Sequence, residues 1–290
     1  MTAPTVNVDL QYDPIDADML RQFDEEGYLI IRNALDAKQI ATLIEAGDQL
    51  IATDLGKGRQ RATDGQRDGF RNCVALDPAF VPLIDHPTML PLVVQLLGAN
   101  LQLMTSHLIH SKPDPPGTNP IRRQPGWHRD YAQAMMDMGH AAIPRIELKC
   151  AYYLTDLTEP SSGVTMVVPG SNRLKVPLYV PEGGDPKGTL EPSLQPGDCL
   201  IFENRTWHAG AVNLTDVTRK AVMIGYGYRW VMPMDFRRQA SEFVDRLSPL
   251  QKYLVGESLN TDSAFHPQGG YNPLREWCEA HGLPTARHPS

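Results

Sequence analysis

Short β-type segments dominate the sequence between about residue 100 and residue 235. Each segment is rich in β-branched and aromatic residues and is separated from the next by turn residues. Five segments fit this description: LQLMTSHLIHSK, IELKCAYYLTDL, GVTMVVPGS, GDCLIFENRTWHAG and RKAVMIGYGYRWV. Because few helix-period stretches interrupt them, the spacing favours a β-sandwich or barrel over alternating β and α units.

Helical patterns precede this β-region. Residues 16–52 predict two amphipathic helices, of which the first ends at Gly27 and the second is capped by Asp36. The segment YLIIRNAL between them predicts a short strand. Residues 53–70 are polar, Gly-rich and locally basic, which predicts an exposed loop.

The C-terminal part predicts little further regular structure. Residues 236–290 begin with one predicted helix, FRRQASEFVDRLSPLQKYL, and continue as coil broken by Pro and Gly. We therefore expect a single domain over residues 1–290, mainly β with flanking α-helices. Its expected parts are N-terminal helices at 16–52, a β core at about 100–235, and a C-terminal helix and coil at 236–290.

The composition gives no sign of a nucleic-acid or membrane partner. The net charge is -7, without the basic excess that nucleic-acid binding requires. The longest apolar runs, such as MLPLVVQLL at 89–97, are too short to cross a bilayer, and no signal peptide is recognisable. The four cysteines form neither a C-x-x-C pair nor a disulfide framework, which predicts reduced thiols and a cytoplasmic protein.

The segment PGWHRDYAQ places His128 and Asp130 two residues apart. In a β-strand, side chains at this spacing project from the same face, so both groups can reach one metal ion. The triplet alone is weak support, because a chain with nine histidines contains an H-x-D by chance in roughly one of two cases.

A third ligand candidate is His208, at the end of the strand-like segment PGDCLIFENRTWH. The chain then reverses through AGAVNLTDVT into a segment that begins near Arg219. A hairpin symmetric about residues 213 and 214 is expected to place His208 and Arg219 directly opposite each other.

These four residues suit a metal with a chelating 2-oxo acid. His128, Asp130 and His208 on one face of an octahedral metal would leave three positions open, as in the 2-His-1-carboxylate sites of non-heme Fe(II) oxygenases. A 2-oxo acid fills two of these positions, and dioxygen the third. The planar, permanently charged guanidinium of Arg219 suits the distal carboxylate of such an acid.

The motifs resemble those of the phytanoyl-CoA dioxygenase-like family of Fe(II)- and 2-oxoglutarate-dependent oxygenases. The similar segments are EEGYLIIRNAL, WHRD, GVTMVVPGSN, PGDCLIFENRTWHAG and the arginine eleven residues after the distal histidine. They follow the family order over roughly residues 16–230, which makes the resemblance specific although each segment alone is weak.

The resemblance implies a double-stranded β-helix, a cupin-like jelly roll that encloses iron and co-substrate. It also implies that Lys112, in HSKP, lines the co-substrate pocket and that Thr165, in GVTMVV, places a hydroxyl near 2-oxoglutarate. Arg129 stands where the family frequently has Gln, and strand alternation predicts that its side chain points away from the metal.

The chemistry that the resemblance implies is oxidation of a small organic molecule, with Fe(II), 2-oxoglutarate and dioxygen as cofactor and co-substrates. Such enzymes convert 2-oxoglutarate to succinate and carbon dioxide while they hydroxylate a C–H bond of the substrate. The breadth of the family suggests a role in tailoring secondary metabolites, such as antibiotics.

Several alternatives remain open at this point. The same site can catalyse cyclisation, epimerisation or desaturation, and a non-catalytic jelly-roll binding module is a further candidate. Arginines at 59–71 and the pair Arg122 and Arg123 would suit the phosphates of an acyl-CoA, or are solvated loop charges. A cupin-type metal enzyme would need neither Arg219 nor 2-oxoglutarate.

The sequence also contains a second histidine pair, His107 and His110 in SHLIH. This H-x-x-H spacing would suit zinc on a helix, but the segment has a strand pattern. Residues three apart in a strand face opposite sides, so we expect these histidines to have structural roles.

Overall fold

The computed structural model describes residues 6, 8, 10, 13–53, 58–62, 65–257 and 271–286. The strands are β1 (Tyr28–Ile31), β2 (Arg59–Arg61), β3 (Arg67–Arg71), β4 (Leu101–Ser111), β5 (Glu147–Tyr153), β6 (Thr165–Val167), β7 (Cys199–Glu203), β8 (His208–Gly210) and β9 (Arg219–Tyr228). The α-helices are α1 (Ala17–Glu26), α2 (Ala37–Ala52), α3 (Met89–Leu97), α4 (Ala132–Met138), α5 (Ser241–Val244), α6 (Pro249–Leu254) and α7 (Pro273–Ala280).

The strands form two antiparallel sheets. The larger has seven strands in the order β1-β7-β5-β9-β4-β3-β2, and the smaller pairs β6 with β8. The order brings together strands that are distant in the sequence, such as β4 and β9 at the centre of the larger sheet. This mainly β architecture with flanking helices is the one that the sequence predicts.

Strand β5 shows how the larger sheet separates two apolar layers. Leu148, Cys150 and Tyr152 pack into the main core, which also contains the apolar residues of α3. Ala151 and Tyr153 point to the other face and pack into a smaller cluster that faces β6. Alternate residues of one strand thus serve opposite faces, and the second face is left to enclose a site.

The N-terminal helices have the ends that the sequence predicts. Asp16 caps α1 through a hydrogen bond from the Met19 backbone N–H, and Gly27 ends the helix with a φ of 81°. A side chain at Gly27 would collide with Thr206 and Asn172, so the helix end packs closely on the β-sandwich. Asp36 begins α2 with a complete capping box.

The prediction of an exposed loop at 53–70 is wrong in its described part. Strands β2 and β3 form an antiparallel hairpin, and β3 extends the larger sheet by pairing with β4. The carboxylate of Asp68 is buried and accepts hydrogen bonds from Arg59 and Arg61. The polar composition misled the prediction, because these charges neutralise one another within the sheet edge.

The prediction that His208 and Arg219 face each other across a hairpin is also wrong. His208 pairs with Val167 of the smaller sheet, whereas Arg219 pairs with Ser111 of the larger sheet. The intervening chain crosses between the sheets, where the Asn213 side chain donates hydrogen bonds to the carbonyls of Ser111 and Val217. A chain reversal in sequence does not reveal which strand its two arms will pair with.

Three further segments differ from the sequence prediction. The strand-like stretch that ends at His208 is divided, because β7 ends at Glu203 and β8 begins only at His208. The predicted C-terminal helix is two short helices, since Ser248 caps a new helix that starts at Pro249. Helix α7 lies in the predicted coil, while residues 258–270 and 287–290 are outside the described residues.

The helices of the described residues also bear on a membrane role. None of them combines the length and the apolar composition needed to cross a bilayer.

Candidate metal and co-substrate site

Two backbone hydrogen bonds hold His128 and His208 side by side. The N–H of His128 donates to the carbonyl of His208 at 3.0 Å, and the reverse bond is 2.9 Å. Asp130 is held on the same segment, because its N–H donates to the carbonyl of Asn204 at 3.1 Å. The segment makes an isolated bridge and is not part of a strand, so the predicted strand is wrong although its consequence, a shared side for His128 and Asp130, is observed.

The three side chains converge on one point. One ligand atom of each of His128, Asp130 and His208 lies within 4.8 Å of the other two. The Nδ1 atoms of the two rings lie 2.7 Å from the carbonyl of Gly126 and 2.9 Å from that of Thr206. Since a carbonyl can only accept, each Nδ1 carries the hydrogen and each Nε2 keeps a lone pair for a metal.

The environment of these residues favours the protonation states that a metal needs. Burial lowers the pKa of His208 to about 4, so its ring is neutral at neutral pH. Burial raises the pKa of Asp130, but the charges of Lys149 and His208 outweigh burial and hold this pKa below its ordinary value. The site therefore presents two neutral imidazoles and one carboxylate.

The two oxygens of the Asp130 carboxylate have different surroundings. Oδ1 accepts a hydrogen bond from the ammonium of Lys149 at 2.7 Å. Oδ2 is buried and has no hydrogen-bond partner in the described part of the chain. A buried carboxylate oxygen without a partner is costly, and a cation bound by Oδ2 would remove that cost. The donor set and this oxygen fit a divalent metal such as iron.

Arg219, at the start of β9, has donors available for an anion. Its guanidinium is buried, lies 5.9 Å from the centre of the Tyr153 ring and donates to the carbonyl of Gly163 at 2.7 Å. The Nε atom is buried without a partner among the described residues. A permanently charged group with an unused buried donor suits the distal carboxylate of 2-oxoglutarate.

A cavity of about 180 Å³ connects the metal ligands with Arg219. Thr165, on β6, lines this cavity, and its backbone N–H donates to the hydroxyl of Tyr153 at 3.2 Å. Lys112 instead lines an adjoining cavity of about 30 Å³, which Arg219 also borders. The roles of Thr165 and Lys112 toward a co-substrate thus stay predictions, with Thr165 in the cavity of the triad and Lys112 in the adjoining one.

The cavity also contains side chains that the sequence analysis did not place beside the metal ligands. Among them are Arg67, Arg71, His107, Lys149 and Met223. A signal for Lys149 was present in the sequence, since ELKCAYY places two charged residues on one face of an otherwise apolar strand. Arg67 and Arg71 belong to the arginines at 59–71 that the sequence analysis considered for acyl-CoA phosphates, but the wrong prediction of a loop at 53–70 gave no sign that β3 carries them to this cavity.

The second histidine pair and the arginine pair of the sequence analysis do not form further sites. His107 faces the cavity, while His110 faces α2 and lies 3.8 Å from the Asp48 carboxylate, so the two histidines share no metal. Arg122 and Arg123 pair with Asp114 and Asp185, which disfavours their use for acyl-CoA phosphates.

Arg129 points away from the cavity, as predicted. Its guanidinium is almost fully buried, donates to the carbonyl of Leu174 and lies 5.7 Å from the Trp207 ring centre.

Curated relatives cover most of the chain. A protein from Emericella variicolor named "Dioxygenase andF" is 25% identical over 272 residues, which are 90% of this chain and 91% of that protein. An ectoine dioxygenase from Sphingopyxis alaskensis is 24% identical over 241 residues, which are 73% of this chain and 76% of that protein.

Solved structures of low identity share the fold. The non-heme, α-ketoglutarate-dependent epimerase SnoN of nogalamycin biosynthesis superposes with a TM-score of 0.58 at 21% identity and covers 73% of this chain and 80% of its own. The carbocyclase SnoK gives a TM-score of 0.56 at 19% identity, with 74% and 85% coverage. These likenesses confirm the predicted jelly roll.

The model of the family "Phytanoyl-CoA dioxygenase (PhyH)" matches residues 23–221, a span that includes the triad and Arg219. The match confirms the enzyme class and the Fe(II) and 2-oxoglutarate cofactors that the sequence motifs predict. Because this span is more than half of the chain, the chain belongs to the phytanoyl-CoA dioxygenase family.

Proposed function

We propose that the chain is an Fe(II)- and 2-oxoglutarate-dependent dioxygenase that hydroxylates a C–H bond of a small organic molecule in secondary metabolism. The observation that carries the proposal is the convergence of His128, Asp130 and His208 beside a buried Arg219 in one cavity. Loss of any of these would have favoured a non-catalytic binding module, and all four residues are in place.

Each residue has a distinct role in the proposed reaction. His128 and His208 would hold the metal through Nε2, and Asp130 through Oδ2. Arg219 would bind the distal carboxylate of 2-oxoglutarate, and Thr165 and Lys112 would line the co-substrate pocket. When bound, iron and 2-oxoglutarate supply the activation of dioxygen that removes a hydrogen from the substrate, with succinate and carbon dioxide as by-products.

The protein itself contributes orientation and exclusion of water. The carbonyls of Gly126 and Thr206 fix both imidazole rings, and Lys149 restrains the Asp130 carboxylate. Several lining residues, among them Lys149, His208 and Arg219, are buried and limit the access of water to the reacting centre.

The second candidate function keeps this site and changes the outcome to epimerisation or cyclisation. Its support is the fold shared with an epimerase and a carbocyclase of nogalamycin biosynthesis. Product analysis distinguishes the outcomes, because only hydroxylation adds an oxygen atom from dioxygen to the substrate.

The test of the proposed function is an anaerobic titration of the Fe(II)-loaded protein with 2-oxoglutarate. We expect the weak visible charge-transfer band of an iron-chelated 2-oxo acid in the wild type, and its loss in His208→Ala. His281→Ala, which changes an exposed histidine of the C-terminal region, is the matched control and should keep the band. Metal binding without any band in the wild type would contradict the proposal.

We also propose that the protein works in the cytoplasm. The support is its cysteine chemistry, since all four cysteines are unpaired and buried, as suits a reducing compartment.

A further inference from the structure

Positive charge dominates the cavity that holds the metal ligands. Four cationic side chains line it, those of Arg67, Arg71, Lys149 and Arg219, whereas Asp130 is the one carboxylate among its lining residues. Three of the charges on the reacting molecules are already assigned, because the proposed function places the distal carboxylate of 2-oxoglutarate at Arg219, its chelating carboxylate on the metal, and the metal at Asp130. The other cations therefore need a separate explanation.

The strand register separates these cations into two ends of the cavity. Arg219 lies opposite Ser111, which in turn pairs with Arg67. Lys149 instead lies opposite Gly225, six residues further along β9, which corresponds to about 20 Å of strand.

Arg71 lies with Lys149 at the end away from Arg219. It pairs with His107, which pairs with Met223, four residues from Arg219 and about 13 Å along the strand. A 2-oxoglutarate molecule that spans from Arg219 to the metal ligands thus leaves Arg71 and Lys149 to another molecule.

The ammonium of Lys149 lacks a dedicated counter-charge. Its hydrogen bond goes to Asp130, the residue whose charge the metal would share. Glu147, two residues earlier on the same strand face, is fully buried, and burial raises its pKa to about 8. Neither oxygen of its carboxylate has a hydrogen-bond partner among the described residues, so it makes no direct hydrogen bond to Lys149.

Arg71 is balanced only in part. It donates to the hydroxyl of Thr105 at 3.0 Å and lies 3.7 Å from the carboxylate of Asp235, a distance longer than a hydrogen bond. Lys149 is buried, whereas the side chain of Arg71 is 34% exposed. Holding two cations this close to the metal site is unfavourable unless an anion joins them.

We propose that the substrate carries an anionic group, a carboxylate or a phosphate ester, which Arg71 and Lys149 bind at the end of the cavity opposite Arg219. This inference rests on the proposed function, since it takes the triad as the reacting centre. Lys149 contacts Asp130, so an anion at Lys149 sits next to the triad, and the oxidised C–H bond lies within a few bonds of the anionic group.

The test uses four probes of one chain length: hexanoate, hexyl phosphate, hexanol and hexylamine. Each is titrated calorimetrically into anaerobic protein saturated with Fe(II) and 2-oxoglutarate, and the charge-transfer band is recorded in the same sample. We expect at least one of the two anions to bind about tenfold or more tightly than hexanol, and hexylamine not to bind. The stronger of the two anions tells a carboxylate substrate from a phosphate ester.

Variants of Arg71 and Lys149 test whether these two cations cause the preference for anionic probes. Lys149→Met and Arg71→Met should each weaken anion binding about tenfold, while Lys149→Arg should restore most of it. Lys220→Met is the matched control, because Lys220 lies on the neighbouring strand, pairs with Asp48 and does not line the cavity. If Lys149→Met also loses the charge-transfer band, its metal site is disturbed, and the anion affinity of Arg71→Met alone then decides whether the substrate is anionic.

The outcomes separate this inference from the proposed function. Absence of the band in the wild type defeats the proposed function itself. A normal band with equal binding of hexanoate, hexyl phosphate and hexanol, or with unchanged anion binding in both methionine variants, overturns the anionic substrate alone.

Discussion

At the scale of single residues, Arg219 owes its predicted role to its burial. The guanidinium keeps one bond to a carbonyl and has an unused buried Nε, so it is prepared for an anion that the protein does not supply. The contacts of Arg219 among the described residues, the Gly163 carbonyl and the Tyr153 ring, are neutral. Removing the charge of Arg219 therefore leaves no carboxylate without its partner in this part of the chain.

We predict that Arg219→Met weakens 2-oxoglutarate binding and leaves metal binding intact. Loss of charge-assisted hydrogen bonds costs about 2 kcal/mol, which corresponds to roughly a 30-fold higher Kd. Anaerobic titration of the charge-transfer band measures this Kd, and calorimetric Fe(II) titration is the control. An unchanged Kd would show that Arg219 does not bind the distal carboxylate of 2-oxoglutarate.

Gly210, two residues after His208, allows β8 to approach the chain segment that precedes His128. A Cβ at this position would overlap the backbone oxygen of Gln124, which cannot move as a side-chain end can. We predict that Gly210→Ala destabilises the protein by about 1 to 3 kcal/mol and weakens Fe(II) binding. Gly126→Ala is the control for stability, because its Cβ would meet no atom within 4 Å. Equal unfolding midpoints of Gly210→Ala and the wild type in urea would refute the close approach of Gly210 to the Gln124 backbone.

At the scale of elements, a buried ion network joins α1, β7 and the turn before β8. The Glu203 carboxylate is fully buried and accepts hydrogen bonds from Arg145, Arg205 and the Asn172 amide. Arg145 also donates to Asp24 of α1. Glu203 therefore positions elements around the site.

The Glu203 network predicts a dependence of stability on pH. Burial raises the pKa of Glu203, but hydrogen bonds and charges from Arg205 and Arg145 outweigh it and hold the pKa below the ordinary 4.5. Since the folded-state pKa is depressed, the stabilisation is complete above pH 4.5 and is lost as the pH falls through the folded-state value.

Urea unfolding of wild type and Glu203→Gln between pH 7 and pH 3 measures this contribution. The variant should lose about 3 kcal/mol at pH 7, because both arginines lose their counter-charge, and the difference should shrink toward pH 3. A difference that is the same at both pH values would show that the charge of Glu203 is not responsible.

At the scale of the whole molecule, we propose that residues 1–290 form one domain. The main core includes residues of α1, α3, β4, β5, β9 and α7, so the N-terminal helices, the larger sheet and the C-terminal helix share apolar packing. Elements that share a core unfold together.

We predict one thermal unfolding transition that metal and co-substrate shift upward together. A ligand that binds only the folded state adds about 2.7 kcal/mol when its free concentration is about 100 times Kd, which raises the Tm by about 5 °C. Calorimetry under anaerobic conditions with Fe(II) and 2-oxoglutarate measures the shift, and Asp130→Ala is the control that should show none. Two separate transitions would contradict the single domain.

The sequence by itself determined the class of fold, and it predicted the candidate metal triad and Arg219. Each depends on local information: strand-like segments with turn residues, a triplet whose spacing holds two ligands on one side, and motifs in a family order. Capping residues such as Asp36 were readable for the same reason, because their partners lie a few residues away.

The tertiary structure alone decided which strands are neighbours, and with them which cations line the cavity. Arg71 and Lys149 come from distant segments and meet only because β3, β4, β9 and β5 lie side by side in one sheet. Long-range pairing also places His208 and Arg219 in different sheets, although both line one cavity. Sheet register results from the packing of the whole core, so no local pattern encodes it.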